Sequence, residues 1–263
     1  MHLANNVDKG RNINQNTNMQ KAFCLSHILY LVFSVGIIIT VLVLIYKFCK
    51  TKNSKEIAIF ISAVLLFSAL VWNRISIAVI GDGPQKIPDA RNLMPFSYCA
   101  LASLLLAVLA VICRKSREHG VFHCIVYLAF VGGLAVTIFP GMVLGNGDST
   151  IFATRTFSGL VYHSLAMFMA LVLVVTGVFR PDWRKWWCLL LGLCAFITFG
   201  LFQIHVFNMA DSMYINIDIV NGMKWYFAGP TMMAIFFTLA LCYEYIPKFL
   251  KARKTRDANE VAV

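Results

Sequence analysis

A cysteine at position 99 and a histidine at position 163 each lie near the start of a long apolar run. Held side by side, such a pair makes a nucleophile. The imidazole takes the thiol proton, or the two rest as thiolate and imidazolium, and the sulfur attacks a carbonyl. The natural intermediate is a thioester and the natural reaction is acyl transfer. The substrate would be a lipid ester or another acyl donor entering from the bilayer, and the enzyme an acyltransferase or a lipid hydrolase. Arg74 or Arg155 would hold a phosphate headgroup bidentately. Ser97, Tyr98, Asn208 or a free backbone N–H beside Cys99 would donate to the oxyanion. Gln203 and His205 complete the polar side chains expected to bind substrate.

These residues need elements to position them. Of the 263 residues, 59% are hydrophobic and only 13% charged, where soluble domains carry about a quarter charged. The apolar residues come in blocks long enough to span a bilayer, which takes about 20 residues each. Seven helices are expected, at about 23–46, 57–80, 93–113, 121–144, 157–179, 186–209 and 224–247. The fold class is therefore all-α, a polytopic seven-helix transmembrane bundle with short loops and antiparallel sequential neighbours. Residues 1–22 read as a flexible polar tail, 23–247 as the membrane domain and 248–263 as a basic tail. The first apolar run exceeds the roughly 7–15 residues of a signal-peptide core, so it reads as a span.

The formal net charge of +11 does not point to nucleic acid, because the basic residues sit in short loops between apolar blocks. Fifteen Lys and Arg flank one side of the bundle, in the loops after helices one, three and five and in the C-terminal tail; seven flank the other. The positive-inside rule then predicts a multi-pass cell-membrane protein with its N-terminus outside and its C-terminus cytoplasmic. Its partners are membrane lipids, as substrate or ligand.

Polar groups inside a span are costly, so a shared depth matters. Cys99, His163 and Arg74 each fall about six residues from the same side, roughly 9 Å deep at 1.5 Å per residue. Gln203, His205 and Asn208 on helix six, and Asn221 and Tyr226 around the start of helix seven, approach that side too. The opposite half offers little that is comparable, so a single polar pocket is expected in the outer third. Arg155, Gly159 and His163 are four apart and share a helix face. Pro95, four before Cys99, is expected in the first turn of helix three, where a missing N–H is harmless.

The eight cysteines are scattered through the apolar blocks with no Cys-x-x-Cys pair. Most read as small packing residues. No metal-binding spacing appears, and no cofactor is expected.

The segment Met94–Cys99, Met-Pro-Phe-Ser-Tyr-Cys, resembles the Leu-Pro-Leu-His-x-Cys motif of the YwaF-like integral membrane family. Tyr162–Phe168, Tyr-His-Ser-Leu-Ala-Met-Phe, is similar to that family's second motif. The family's eukaryotic branch contains a phospholipid acyltransferase that works through a cysteine and a histidine. The resemblance implies those roles for Cys99 and His163. It departs at Ser97, where the family motif has histidine.

Three other readings compete. A non-enzymatic bundle that binds or transports a lipid or small ligand would use the same pocket, although a transporter should also show polar residues through its other half. A retinal protein needs a lysine deep in a span, and helix seven has lysines only at its ends, Lys224 and Lys248. A G-protein-coupled receptor is unsupported: helix three ends Val111-Ile112-Cys113-Arg114, and helix seven has no Asn-Pro-x-x-Tyr.

Overall fold

A computed structural model describes residues 24–81, 88–114, 117, 119–139, 150–216 and 233–249. All regular structure among them is helical. The helices are α1 (Leu25–Phe48), α2 (Lys52–Ile80), α3 (Tyr98–Ile112), α4 (Gly120–Ile138), α5 (Thr154–Val175), α6 (Trp186–Phe207) and α7 (233–249). Short 3₁₀ turns cover Ala90–Leu93 and Trp183–Lys185. The seven apolar blocks thus fold as seven helices. Helices α1, α2, α4, α5 and α6 are long and apolar enough to cross a membrane, α6 together with the turn before it; α3 is apolar but shorter.

Local chemistry sets the ends. Thr51 caps α2, its Oγ1 accepting from the Ser54 N–H at 3.1 Å. That cap starts α2 earlier than the apolar block does, so Lys52, Lys55 and Glu56 belong to the helix. Ser97 caps α3, accepting from the Ala100 N–H at 3.3 Å. Helix α3 therefore begins at Tyr98, later than the expected 93, and Pro95 is outside it. The proline disfavours a helical Met94, and Met94 and Ser97 are extended, with ψ of 148° and 154°. Helix α5 ends where Gly177 takes a φ of +71°, and the Val178 and Phe179 N–H groups both turn back to Leu173 O.

Helix α5 is the hub, packing on α1, α2, α3 and α4; α4 also packs on α3 and α6. Helix α1 is peripheral and buries only His27 and Ile38. The α4–α6 contact is a reciprocal interlock. A Cβ on Gly120 would run into Cys188 Sγ, and one on Gly192 into Cys124 Sγ. Two cysteines thus fill two glycine notches, the close approach that small residues permit between membrane helices.

One expectation is corrected. The half of the bundle far from Cys99 is not empty of buried polar groups. Arg117 is 2% exposed and forms a two-point ion pair with Glu56 at 2.7 and 2.8 Å. Its guanidinium also donates to Ala110 O, capping the last turn of α3. His123 and Tyr127, one turn apart on α4, are both buried against Phe179. Polar residues therefore occur in both halves of the bundle, as a transport reading requires.

Candidate functional site

Cys99 is the second residue of α3, so it lies in a first turn whose N–H groups have no carbonyl of their own helix to bond. That turn is set back into the bundle. Helix α4 runs roughly 9 Å beyond Gly132, and α5 starts roughly 14 Å before His163, at 1.5 Å per residue. Set-back backbone of this kind is tolerated at membrane depth only where protein surrounds it.

What brings α3 and α5 together is a glycine pair on α4. A Cβ on Gly132 would collide with Cys99 Sγ. A Cβ on Gly133 would collide with the backbone of His163, at its carbonyl oxygen, and of Met167. Adjacent residues of α4 therefore touch the Cys99 thiol on one side and the His163 turn on the other.

His163 is 3% exposed, and its Nδ1 lies 2.8 Å from Gly159 O. A carbonyl only accepts, so Nδ1 carries the proton and Nε2 has the basic lone pair. The Tyr162 ring lies 3.9 Å from the His163 ring, centroid to centroid. The Tyr162 hydroxyl is in hydrogen-bonding reach of Ser97 and in electrostatic range of Arg74, Cys99 and Tyr214. Arg74, 7% exposed, acts electrostatically on His163 as well. Its guanidinium lies 4.7 Å from the centroid of the Phe96 ring and donates to Asn73 Oδ1 at 2.7 Å. Asn73 Nδ2 in turn donates to Ser158 Oγ at 3.1 Å and Arg155 O at 3.3 Å, which locks Arg74 to α5.

A loop after α6 closes the end of the site. Phe96 O accepts from the Met213 N–H at 2.8 Å. Ser212 Oγ donates to Gln203 Oε1, with Phe96 O a longer contact at 3.4 Å. Gly200 on α6 is the seat for Met213. Tyr98 stacks between Phe196 and Tyr214, each 6.3 Å away. Arg91 ties the α2–α3 loop to this region, donating to Asn208 O at 2.7 Å. It also pairs with Asp89, and the hydrogen bonds from the Arg91 side chain and N–H hold the Asp89 carboxyl below its ordinary range.

The structure thus gathers Cys99, His163, Arg74 and Ser97 around Tyr162, and reaches Gln203 through Ser212 and Phe96. Arg155 is buried but donates to Gly81 O at 2.9 Å, fastening α5 to the end of α2. Tyr98 packs with aromatic rings. His205 is exposed because two residues after the buried Gln203 the helix has turned it outward, and Asn208 is exposed beyond the end of α6, where it takes a left-handed φ of 52°. Asn221 and Tyr226 fall outside the described residues. Sequence reasoning missed Tyr162, Asn73, Phe96 and the glycine pair. A Gly-Gly dipeptide inside an apolar span was the available signal. It also missed a polar cluster behind His163: His27 Nε2 meets Thr137 O at 3.0 Å, while Ser164 Oγ meets Tyr30 at 2.8 Å and Thr137 at 3.2 Å. That cluster fastens α1 to α4 and α5.

Compared with known proteins, the chain matches no curated protein and no solved structure. A family model does match it, over residues 22–244, and is described as the TMEM164 family.

Proposed function

The chain belongs to the TMEM164 family, a family of transmembrane proteins, and from that premise we propose that it is a lipid acyltransferase with Cys99 as nucleophile and His163 as base. The observation that supports this most is the Gly132–Gly133 pair, which sets the Cys99 thiol and the His163 turn against neighbouring residues of one helix. The likeness of Met94–Cys99 and Tyr162–Phe168 to the YwaF-like motifs points the same way.

In the first half-reaction His163 Nε2 takes the Cys99 proton as sulfur attacks the ester carbonyl of a phospholipid. The Tyr98 and Cys99 N–H groups at the start of α3, with Ser97 or Tyr162, stabilise the oxyanion. The C–O bond breaks, the S–C bond remains as a thioester, and His163 returns the proton to the departing alcohol oxygen. In the second half-reaction a hydroxyl, of a lysophospholipid or of water, gives its proton to His163 and attacks the thioester. A new ester or a free acid leaves, and Cys99 recovers its proton. Arg74 holds the donor's phosphate. With the termini oriented by the Lys and Arg distribution, this site opens to the outer leaflet; protease access to terminal tags on intact cells tests that orientation.

A second reading has one specific observation in its favour. Cys124 and Cys188 also fill glycine notches, and in them the role is packing. If Cys99 does no more, the protein is a non-enzymatic lipid- or small-ligand-binding bundle. The deciding experiment is intact-mass analysis of the protein after incubation in phospholipid vesicles. Acyl transfer requires an acyl adduct on Cys99 that neutral hydroxylamine releases, and lipid remodelling that Cys99→Ala and His163→Ala both abolish. Full remodelling in both variants refutes it.

A further inference from the structure

At the end of the bundle opposite Cys99, a cleft of about 470 Å³ is lined by Lys50, Lys52, Lys55, Glu56, Arg114 and Arg117, together with the turn after α5. Lys52 and Arg74 are roughly 33 Å apart along α2 at 1.5 Å per residue, so this cleft is separate from the site above. Its charge is unbalanced. Among the described residues, five cations line it with a single carboxylate, Glu56, and that carboxylate is already committed to the buried Arg117. Arg114 is 59% exposed and reaches Glu56 only at 3.8 Å. Lys50 donates to Tyr46 O, which carries no charge to neutralise it. Lys52 acts on Glu56 only at longer range, and among the described residues no carboxylate lies within ion-pair distance of Lys52 or Lys55.

Backbone dipoles do not remove the excess. The start of α2 contributes about half a positive charge and the end of α5 about half a negative one, so the side chains decide. Lysines in the first turn of α2 are moreover on the wrong end for the dipole of their own helix. Like charges are brought together in one cleft, an arrangement that an entering anion stabilises.

We infer that this cleft binds a phosphate-bearing anion, with the headgroup of an anionic phospholipid and a soluble phosphate compound as the two sources of that chemistry. Lys52, Lys55 and Arg114 are the groups that contact it. Arg117 and Glu56 form the rigid floor: Arg117 is anchored on α3 and Glu56 on α2, so the ion pair fixes the distance between the cleft's two walls. This inference is independent of any acyl chemistry at Cys99.

The test uses the full chain in detergent, with native mass spectrometry and thermal melting as readouts. The probes are phosphatidic acid, phosphatidylcholine and inorganic phosphate. Wild type should retain phosphatidic acid in preference to phosphatidylcholine and melt at a higher temperature with it. The double variant Lys52→Gln/Lys55→Gln should bind phosphatidic acid roughly thirtyfold more weakly, the size expected for two juxtamembrane cations. The same variant without lipid should melt no lower than wild type, which shows that it is folded. Lys248→Gln, a cation at the same end but outside the cleft, should bind as wild type does. Protection by inorganic phosphate that the double variant loses would also support the site and would identify a soluble ligand as its source. No preference for phosphatidic acid together with no phosphate protection, or equal losses in the double variant and Lys248→Gln, would overturn the inference.

Discussion

The thiol of Cys99 lies in the notch left by the absent side chain of Gly132, and the next residue of α4, Gly133, abuts the backbone of His163. The two glycines make different demands on their neighbours. Gly132 is opposed by a side chain that can be shortened. Gly133 is opposed by main chain that cannot.

That difference gives a paired prediction. Gly132→Ala should destabilise the protein by about 1–3 kcal/mol, the usual cost of overpacking. Cys99→Ala in the same chain should restore much of the loss, because it removes the sulfur that the new methyl meets and leaves the Cys99 Cβ at 3.2 Å. Gly133→Ala should cost more, and Cys99→Ala should not rescue it. Thermal melts of the four variants in one detergent measure all of this; equal rescue of both glycine variants would contradict the geometry.

His163 should act through Nε2, since Nδ1 is engaged with Gly159 O. If it is the base, His163→Ala lowers thioester formation on Cys99 by about 10²–10⁴-fold, the range for loss of a general base. The rate of acyl-adduct formation in phospholipid vesicles is the measurement. The melting temperature reports separately whether the variant has kept its fold.

Arg117 is the cation whose loss should matter most to folding. Arg117→Ala leaves Glu56 without its two-point partner and Ala110 O without its donor. The expected loss is on the order of 3 kcal/mol, at the lower end for a broken buried pair because Glu56 retains some exposure. Arg117→Lys should recover only part, as an ammonium cannot reproduce the fork. Arg114→Ala, an exposed neighbour, should leave the melt nearly unchanged.

The Asp89–Arg91 contact sets a pH dependence. The folded-state pKa of Asp89 is depressed by Arg91. Its contribution is thus fully present above the ordinary aspartate pKa of about 3.9 and is lost as pH falls through the lower, folded value. The Arg91 N–H donates to Asp89 Oδ1 at 2.9 Å. Its hydrogen-exchange protection, corrected for intrinsic rate, should hold steady from neutral pH to about pH 4 and fall below that. Asp89→Asn should remove the step.

The membrane architecture was open to reading from sequence because spans need only length and apolarity, both local properties. Matching residues by depth succeeded in bringing Cys99, His163 and Arg74 to one region because sequential helices alternate in direction. It failed for His205, where rotation about the helix axis decides burial, and depth says nothing about rotation. The start of α3 is hard to place from sequence because Leu93–Phe96 is as apolar as the helix it precedes; only the Ser97 cap and Pro95 mark the boundary. Arg117 looked like any loop cation, since its burial depends on a carboxylate in a different helix. The role of the glycine pair is not legible locally, because a notch is defined by what fills it, and Cys99 and His163 arrive from other parts of the chain.

The carbonyl of Phe96 has a further consequence, for synthesis. Its partners, Met213 and Ser212, lie in the loop after α6, whereas Cys99, Arg74 and His163 are all made before that helix. As the ribosome proceeds from the N-terminus, the first five helices can assemble around Gly132 and Gly133 while the set-back segment at Phe96 still has no such donor. Cys99 and His163 can therefore be in place before their enclosure is finished, and a chain released before Met209 would contain both in an unsealed bundle.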